Sequence, residues 1–313
     1  MRFESYKNNR LPAPISFKNI KGKSKFLDEV KRVLESKLPT STSITREIIR
    51  VMHDNSSSAM NVAEVIEHDP AMTANVLKIA NSAYYGSSTN ITSIKFAVTI
   101  LGHNALMELI STICVVRCFI DCEKNGKNDL KDIWYHSIGT AKACQFISVR
   151  MSIEQPEIAY LVGLLHDVGK ILIILYFPDN YREVVQLAAE KKTRFLLAER
   201  KILKTDHTII GNFLCELWAL PKDLNMAITY HHCPMGSQGY SQKLARIVEL
   251  GDYMCRTAQI GFSGYERIEQ PSPATMALLG IKPETVKNNF EAILEKLEVS
   301  KSEIDNFFQQ LEQ

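Results

Sequence analysis

Apolar residues recur along most of this chain at the three- and four-residue spacing of helices, and strand-like alternation is absent from every stretch long enough to matter. Ile44, Ile48, Ile49 and Met52 fall on one face after a Ser/Thr-rich start that offers an N-cap. Asp69 followed by Pro70 reads as an N-cap and first-turn proline, opening a helix through Ala83 that Gly86 ends. After Thr92 and Ser93 a further helical pattern runs to Phe119, punctuated by Gly102. Helical patterns then cover 130–151, 156–176, 179–192, 206–219, 222–232 and 241–257. The closing segment, 282–313, is amphipathic with Phe290, Ile293, Leu294 and Leu297 on one stripe, which predicts a packing or dimer-contacting helix.

The polar, glycine-containing CEKNGKNDLK at 122–131 is the best boundary between an N-terminal and a C-terminal helical half. The chain then divides into an arm at 1–30, helical subdomains at 31–125 and 126–260, and a helical extension at 261–313. With 313 residues, 45% hydrophobic and 23% charged, it has the composition of a soluble globular protein. A formal net charge of +2 is too mild to announce nucleic acid or an anionic membrane, although the arm is locally basic. Apolar runs such as 171–177 read as too short to span a bilayer and no signal-peptide pattern opens the chain, so the expected compartment is the cytoplasm. Seven cysteines without a CxxC pair argue for reduced thiols. Cys114, Cys118 and Cys122 would share a helix face, and packing as small apolar groups is the preferred reading of them.

One stretch departs from this plain pattern. LVGLLHDVGKILIILY, 161–176, places His166, Asp167 and Lys170 in an otherwise apolar run, where a buried charge needs a partner or a metal. On one continuous helix His166 and Asp167 lie about 100° apart, and Lys170 covers the same face. Gly169 costs a helix about 1 kcal/mol relative to alanine, tolerable if close approach is needed there. His136, His207, His231 and His232 lie in the same half inside or at the ends of predicted helices, and Asp252 joins them from RIVELGDYM. Helices of a bundle can project such groups to one interior point. Imidazole nitrogens with carboxylate oxygens suit Fe, Mn, Zn, Co or Ni better than Mg or Ca. Each histidine alone is as well explained by a local hydrogen bond, and periodicity does not show convergence.

The order His136, then His166 and Asp167, then Asp252 resembles the HD superfamily of metal-dependent phosphohydrolases, with WYHS at 134–137 around the first histidine. IEHDPAMTANVLKIANSAYYGSSTNITSIKFAVTILG, 66–102, is similar to the signature of its HDOD branch. That resemblance covers roughly 35–257 and implies an all-α fold of two packed helical bundles, the C-terminal one HD-domain-like, and a role in bacterial signal transduction. HDVGK at 166–170, the histidine of DHTIIG at 206–211 and HHCPMGSQGYS at 231–241 also resemble the HD-GYP phosphodiesterases of cyclic di-GMP. The resemblance implies one or two divalent transition metals, with His136, His166, Asp167 and Asp252 as the basic set and Asp167 bridging to a second ion on His207, His231 and His232. It implies Asp167 as ligand and proton acceptor and Lys170 as the contact to substrate phosphate. Cys233 stands where the HD-GYP enzymes have glutamate, Ser241 replaces their proline, and Asp132 could stand in for a carboxylate one turn before His136. Two functions stay open on this reading. One is hydrolysis of a phosphodiester or phosphomonoester of a nucleotide or cyclic dinucleotide. The other is a non-catalytic HDOD signalling module, homodimeric or bound to a signalling protein, whose metal is structural.

Overall fold

Short polar side chains set several helix starts, with Ser58, Asp69, Ser93 and Asp206 as the caps. In the computed structural model of the chain, the described residues are 25–37, 58–81, 91–120, 127–150, 156–262 and 271–278, with 48, 51, 152 and 295 singly. The N-terminal arm before residue 25, most of the 44–52 helix, Tyr84, Tyr85, Gly86, the 121–126 part of the boundary, Cys122, the side chains of Cys114 and Cys118, and nearly all of 282–313 lie outside them. The described fold is all-α, with no strand among the described residues.

Helix α1 spans Lys25–Lys37, α2 Ala59–Glu67, α3 Pro70–Ala80, α4 Ile94–Leu101 and α5 His103–Ile120. The Ser58 hydroxyl accepts from the Asn61 backbone N–H, and the Ser58 backbone N–H donates to the Asn61 side-chain Oδ1, a reciprocal cap on α2. Asp69 accepts from the Met72 N–H at 3.0 Å ahead of Pro70, as the sequence pattern predicts. Ser93 caps α4 through the Phe96 N–H at 3.1 Å. Asn81 donates to the carbonyls of Leu77 and Ile91, both at 2.8 Å, and accepts from the Ile91 N–H at 2.7 Å. One amide side chain therefore ties the end of α3 to the approach of α4.

The second half holds α6 (Lys127–Arg150), α7 (Pro156–Leu165), α8 (Val168–Tyr176), α9 (Pro178–Lys191), α10 (Phe195–Ile202), α11 (His207–Leu217), α12 (Lys222–Tyr230), a 3₁₀ turn at Pro234–Gly236, α13 (Gly239–Thr257) and α14 (Pro273–Leu278). Its centre is α6, buried on nearly every side between α7 and α13. Cys144, Cys215 and Cys255 are buried free thiols, packed as small apolar groups. The apolar core runs without interruption from Leu27 through Ile260. Where α5 packs on α7, Thr112 and Tyr160 share a hydrogen bond of 2.8 Å, and nearby Lys142 pairs with Glu108 at 2.5 Å in a buried setting. Helix α1 docks on α11, with Phe26 against Phe177 and Lys31 over Phe213.

The continuous helix expected over 156–176 is instead broken. Helix α7 ends at Leu165, His166 and Asp167 form a turn, and α8 begins at Val168. Asp167 leaves helical geometry, at φ −102 and ψ 13, and its carbonyl accepts from the Lys170 N–H at 2.8 Å, a tightened three-residue turn. The whole stretch Pro156–Tyr176 is apolar and long enough by composition to cross a membrane, which corrects the expectation that every such run is too short; 94% of its most apolar window is buried within the fold. It is a pair of core helices flanking a polar turn.

Candidate metal centre

The break at His166–Asp167 aims the two side chains inward from the middle of the core. Asp167 is fully buried. Its Oδ2 lies 3.3 Å from His166 Nε2, 3.8 Å from His136 Nε2 and 2.9 Å from the Lys170 ammonium. Its Oδ1 lies 3.3 Å from His207 Nε2. His231 and His232, from the end of α12, close the other side, with ring centroids 5.2 Å (His166 to His231) and 5.1 Å (His207 to His232) apart. Two groups of donors each fit within 4.8 Å: His136, His166 and Asp167, and Asp167, His207, His231 and His232. All are buried except His232, which is partly exposed.

The hydrogen bonds behind the rings decide what the front atoms can do. A carbonyl only accepts, so His166 Nδ1, 2.7 Å from the Gly163 carbonyl, carries the proton and leaves Nε2 with a lone pair. His231 repeats this with Ile228 at 2.7 Å. His207 Nδ1 is 2.5 Å from Glu199 Oε2, which also receives the His207 backbone N–H. This is the carboxylate–histidine arrangement that orients a metal ligand. His166 Nε2, His231 Nε2 and Asp167 Oδ1 have no hydrogen-bond partner although they are buried. Lone pairs facing each other at 3.3 Å repel unless a cation lies between them, so these orphaned atoms fit a metal. Five imidazoles and the one carboxylate of Asp167 are a borderline donor set, suited to Fe, Mn, Zn, Co or Ni.

Electrostatics keep the set ready to ligate. Burial, followed by the Lys170 charge, holds His207 well below the ordinary histidine range. Burial, followed by His231, does the same to His232, and burial with His166 brings His231 down to about 4. At His136 burial outweighs the upward pull of Asp252. Burial would raise the Asp167 carboxyl, but His166 and Lys170 overcome it and hold it well below the usual carboxylate range. Neutral imidazoles beside an ionised carboxylate are the forms a cation needs.

Local structure positions each donor. Asp206 accepts from the N–H groups of Thr208 and Ile209 and is held by Arg200 at 2.7 Å, fixing the start of α11 where His207 projects. A Cβ on Gly169 would collide with the backbone of His207, so glycine there lets α8 and α11 touch. Beyond α13, Gly261 at φ +61 lets the chain return against α6, where the Phe262 N–H bonds the Asp132 carbonyl at 3.1 Å. Asp132 itself is exposed and outside both donor groups, and Cys233 is partly exposed and outside them too. Lys170 is fully buried between Asp167 and the Phe195 ring. Asp252 is 2.9 Å from His136 Nε2 but belongs to neither compact group.

The HDOD domain family profile matches residues 38–234. The chain belongs to the HDOD family. An HDOD domain protein of Geobacter sulfurreducens with unknown function is 27% identical with a TM-score of 0.71, over 90% of this chain and 97% of that one. A Shewanella amazonensis protein named as a candidate phosphohydrolase shares the fold at 24% identity and TM-score 0.66, over 92% and 99%. A Treponema pallidum protein of unassigned function is 24% identical over 204 residues, so this HDOD chain spans only 37% of that relative's length.

Sequence reasoning missed Glu199 and Arg256. Glu199 lies on α10, a short helix whose FLLAERKI gives too few turns for a periodic signal. It opens the charged run Glu199-Arg200-Lys201, which reads as an ordinary solvated face, and its one signal is its place directly after FLLA, eight residues before His207. Arg256 follows Asp252 by four residues, the spacing of a helical ion pair, and its Nε donates to Asp252 at 2.7 Å.

Proposed function

We propose that this HDOD protein is a signal-transduction phosphohydrolase whose transition-metal centre cleaves a phosphoester of a nucleotide or cyclic dinucleotide. The observation that supports it most is the gathering around Asp167 of five histidines, two of which, His166 and His231, turn a buried Nε2 without a hydrogen-bond partner into the site. When bound, the cation supplies Lewis acidity toward a phosphoryl oxygen and lowers the pKa of an attacking water. The chain's own residues do the rest. Glu199, Gly163 and Ile228 lock His207, His166 and His231 in the tautomer that turns Nε2 inward. Lys170 keeps Asp167 ionised, so that its two oxygens can face both donor groups and, as a water loses its proton, accept it. The partly exposed His232 marks the side from which a phosphate would enter. The likeness to the Shewanella protein adds only fold-level support.

The test is metal analysis of anaerobically purified protein, then a hydrolysis screen of cyclic dinucleotides, nucleotides and aryl phosphates. Stoichiometric transition metal and turnover are expected, and His166→Ala or Asp167→Ala should remove both. Normal metal content in those variants would sink the assignment. One observation favours the signalling module instead: Lys170 is fully buried and turned onto Asp167. Metal without turnover on any substrate would select that reading.

A further inference from the structure

Arg246, on α13, has its guanidinium anchored on one side and left underused on the other. It is 4% exposed, and its Nη1 donates at 3.0 Å to the hydroxyl oxygen of Thr275. Thr275 in turn donates to Glu249, which also accepts from the Ser272 N–H at 3.3 Å, so α14 and its approach hold this end of the group. Glu249 feels the charge of Arg246 but gives its hydrogen bonds to Ser272 and Thr275, and no ion pair includes Arg246 among the described residues.

The edge away from Thr275 is made of Nε–H and Nη2–H, the fork that takes two oxygens of one oxyanion. Here Nε has no hydrogen-bond partner, and Nη2 meets only the Met235 sulfur, at 3.0 Å. A thioether is a weak acceptor, so a nearly buried guanidinium is left with its best edge unsatisfied. Met235 is 69% exposed and flexible, and one rotation of its side chain uncovers that edge to solvent. The backbone beneath stays in place, because Gln242 donates to the carbonyls of Ser237 at 2.8 Å and Pro234 at 3.3 Å and fastens the 3₁₀ turn to the start of α13. Met235 follows the partly exposed His232 by three residues, on the chain segment that leaves the histidine-rich centre.

We propose that Arg246 is an oxyanion-binding residue: with Met235 swung aside, its Nε–H and Nη2–H hold a phosphate group carried by a phosphorylated ligand. This rests on the phosphohydrolase reading above for the nature of the ligand and adds to it a phosphate other than the one cleaved. It favours ligands with two phosphate groups over simple monoesters, and it uses none of the metal donors.

The experiment is titration of full-length protein carrying [methyl-¹³C]methionine with inorganic phosphate, read at the Met235 methyl resonance, which its loss in Met235→Ala identifies among the ten methionines. A saturable shift is expected, while chloride at matched ionic strength leaves the resonance in place. The shift should persist after chelator treatment. Arg246→Gln should raise the half-saturating phosphate concentration by about tenfold or more, and Arg246→Lys, which keeps the charge but not the fork, by about threefold. AMP should saturate the site at a lower concentration than inorganic phosphate, and the reverse order would overturn the assignment to a carried phosphate. A shift that chloride reproduces, that survives unchanged in Arg246→Gln, or that disappears with the metal would overturn the inference. All of these leave the metal-centre reading standing, since metal content decides that. If Arg246→Gln does not fold, Met235→Ala decides, because it removes only an exposed side chain. The phosphorus-31 resonance should then report phosphate bound about threefold more tightly, with the competing thioether gone, and unchanged or weaker binding overturns the proposal.

Discussion

Gly169→Ala separates two opposed effects whose sizes can be compared. In a helix, alanine is favoured over glycine by at most about 1 kcal/mol, and Gly169 lies in the first turn of α8, where the gain is smaller. Against this stands a collision: the added Cβ would come within 2.8 Å of the His207 carbonyl carbon and 2.9 Å of its Cα, and closer still to the carbonyl oxygen. These are backbone atoms, with no side chain to swing away, so α8 and the start of α11 must part by about 1 Å. Overpacking of this kind costs about 1–3 kcal/mol, and it wins. The net loss should be about 1–2 kcal/mol, a fall of about 2–3 °C in Tm at roughly 1.5 °C per kcal/mol for a chain of this size. The same movement carries Asp167 away from His207, now 3.3 Å apart, and so weakens metal binding. Gly211→Ala is the control, because its nearest neighbour would be a side-chain methyl of Val168 at 3.3 Å, which can yield. Its Tm should stay within about 0.5 °C of wild type on the same scale. The assay is thermal unfolding of metal-free and Co²⁺-loaded protein in parallel. A Gly169→Ala protein as stable as wild type, with undiminished metal affinity, would show that propensity outweighs the contact and that α8 does not lean on His207.

Glu199→Gln should leave the fold intact but weaken metal binding by roughly 10- to 100-fold, because the amide can turn its N–H₂ toward His207 and upset the ring's tautomer; competition with a chelator measures it. Lys142→Met should cost about 3–5 kcal/mol in denaturant unfolding, since it removes the ammonium paired with the buried Glu108 carboxylate, and adding Glu108→Leu should recover most of the loss. Asn81→Ala removes the clamp between α3 and the approach to α4 and should lower stability by about 2 kcal/mol by the same measurement.

Helices with strong apolar periodicity, such as the one starting at Pro70 behind its Asp69 cap and the one starting at Lys222, were legible from the sequence because each reports its own burial. So were the candidate donors that the fold gathers, His136, His166, Asp167, His207, His231 and His232, since histidines and aspartates are costly in a core unless something uses them. Their convergence was not, because the set draws on α6, the His166–Asp167 turn, α11 and the end of α12, and nothing local encodes how those pack. Glu199 was hidden by the shortness of α10. Arg256 was hidden differently: its spacing from Asp252 is the ordinary spacing of a surface ion pair, and only the burial of Asp252 beside His136 gives it meaning.

The break in the apolar run 156–176 connects fold to chemistry. On a continuous helix His166 and Asp167 would point about 100° apart, and a carboxylate on such a face could serve one neighbouring helix at most. With the turn, Asp167 sets Oδ2 toward His166 and His136 and Oδ1 toward His207, so one side chain belongs to both donor groups. A turn in the middle of a core exposes backbone groups to an apolar environment, and the Asp167 carbonyl escapes this by accepting from Lys170. Lys170 then returns its ammonium to the Asp167 carboxylate. Backbone and side chain of one residue close the turn and balance the charge that the turn was made to present. The spacing HDVGK is thus first a device for putting a carboxylate at the centre of a helical core, where the neighbouring histidines surround it with candidate metal donors.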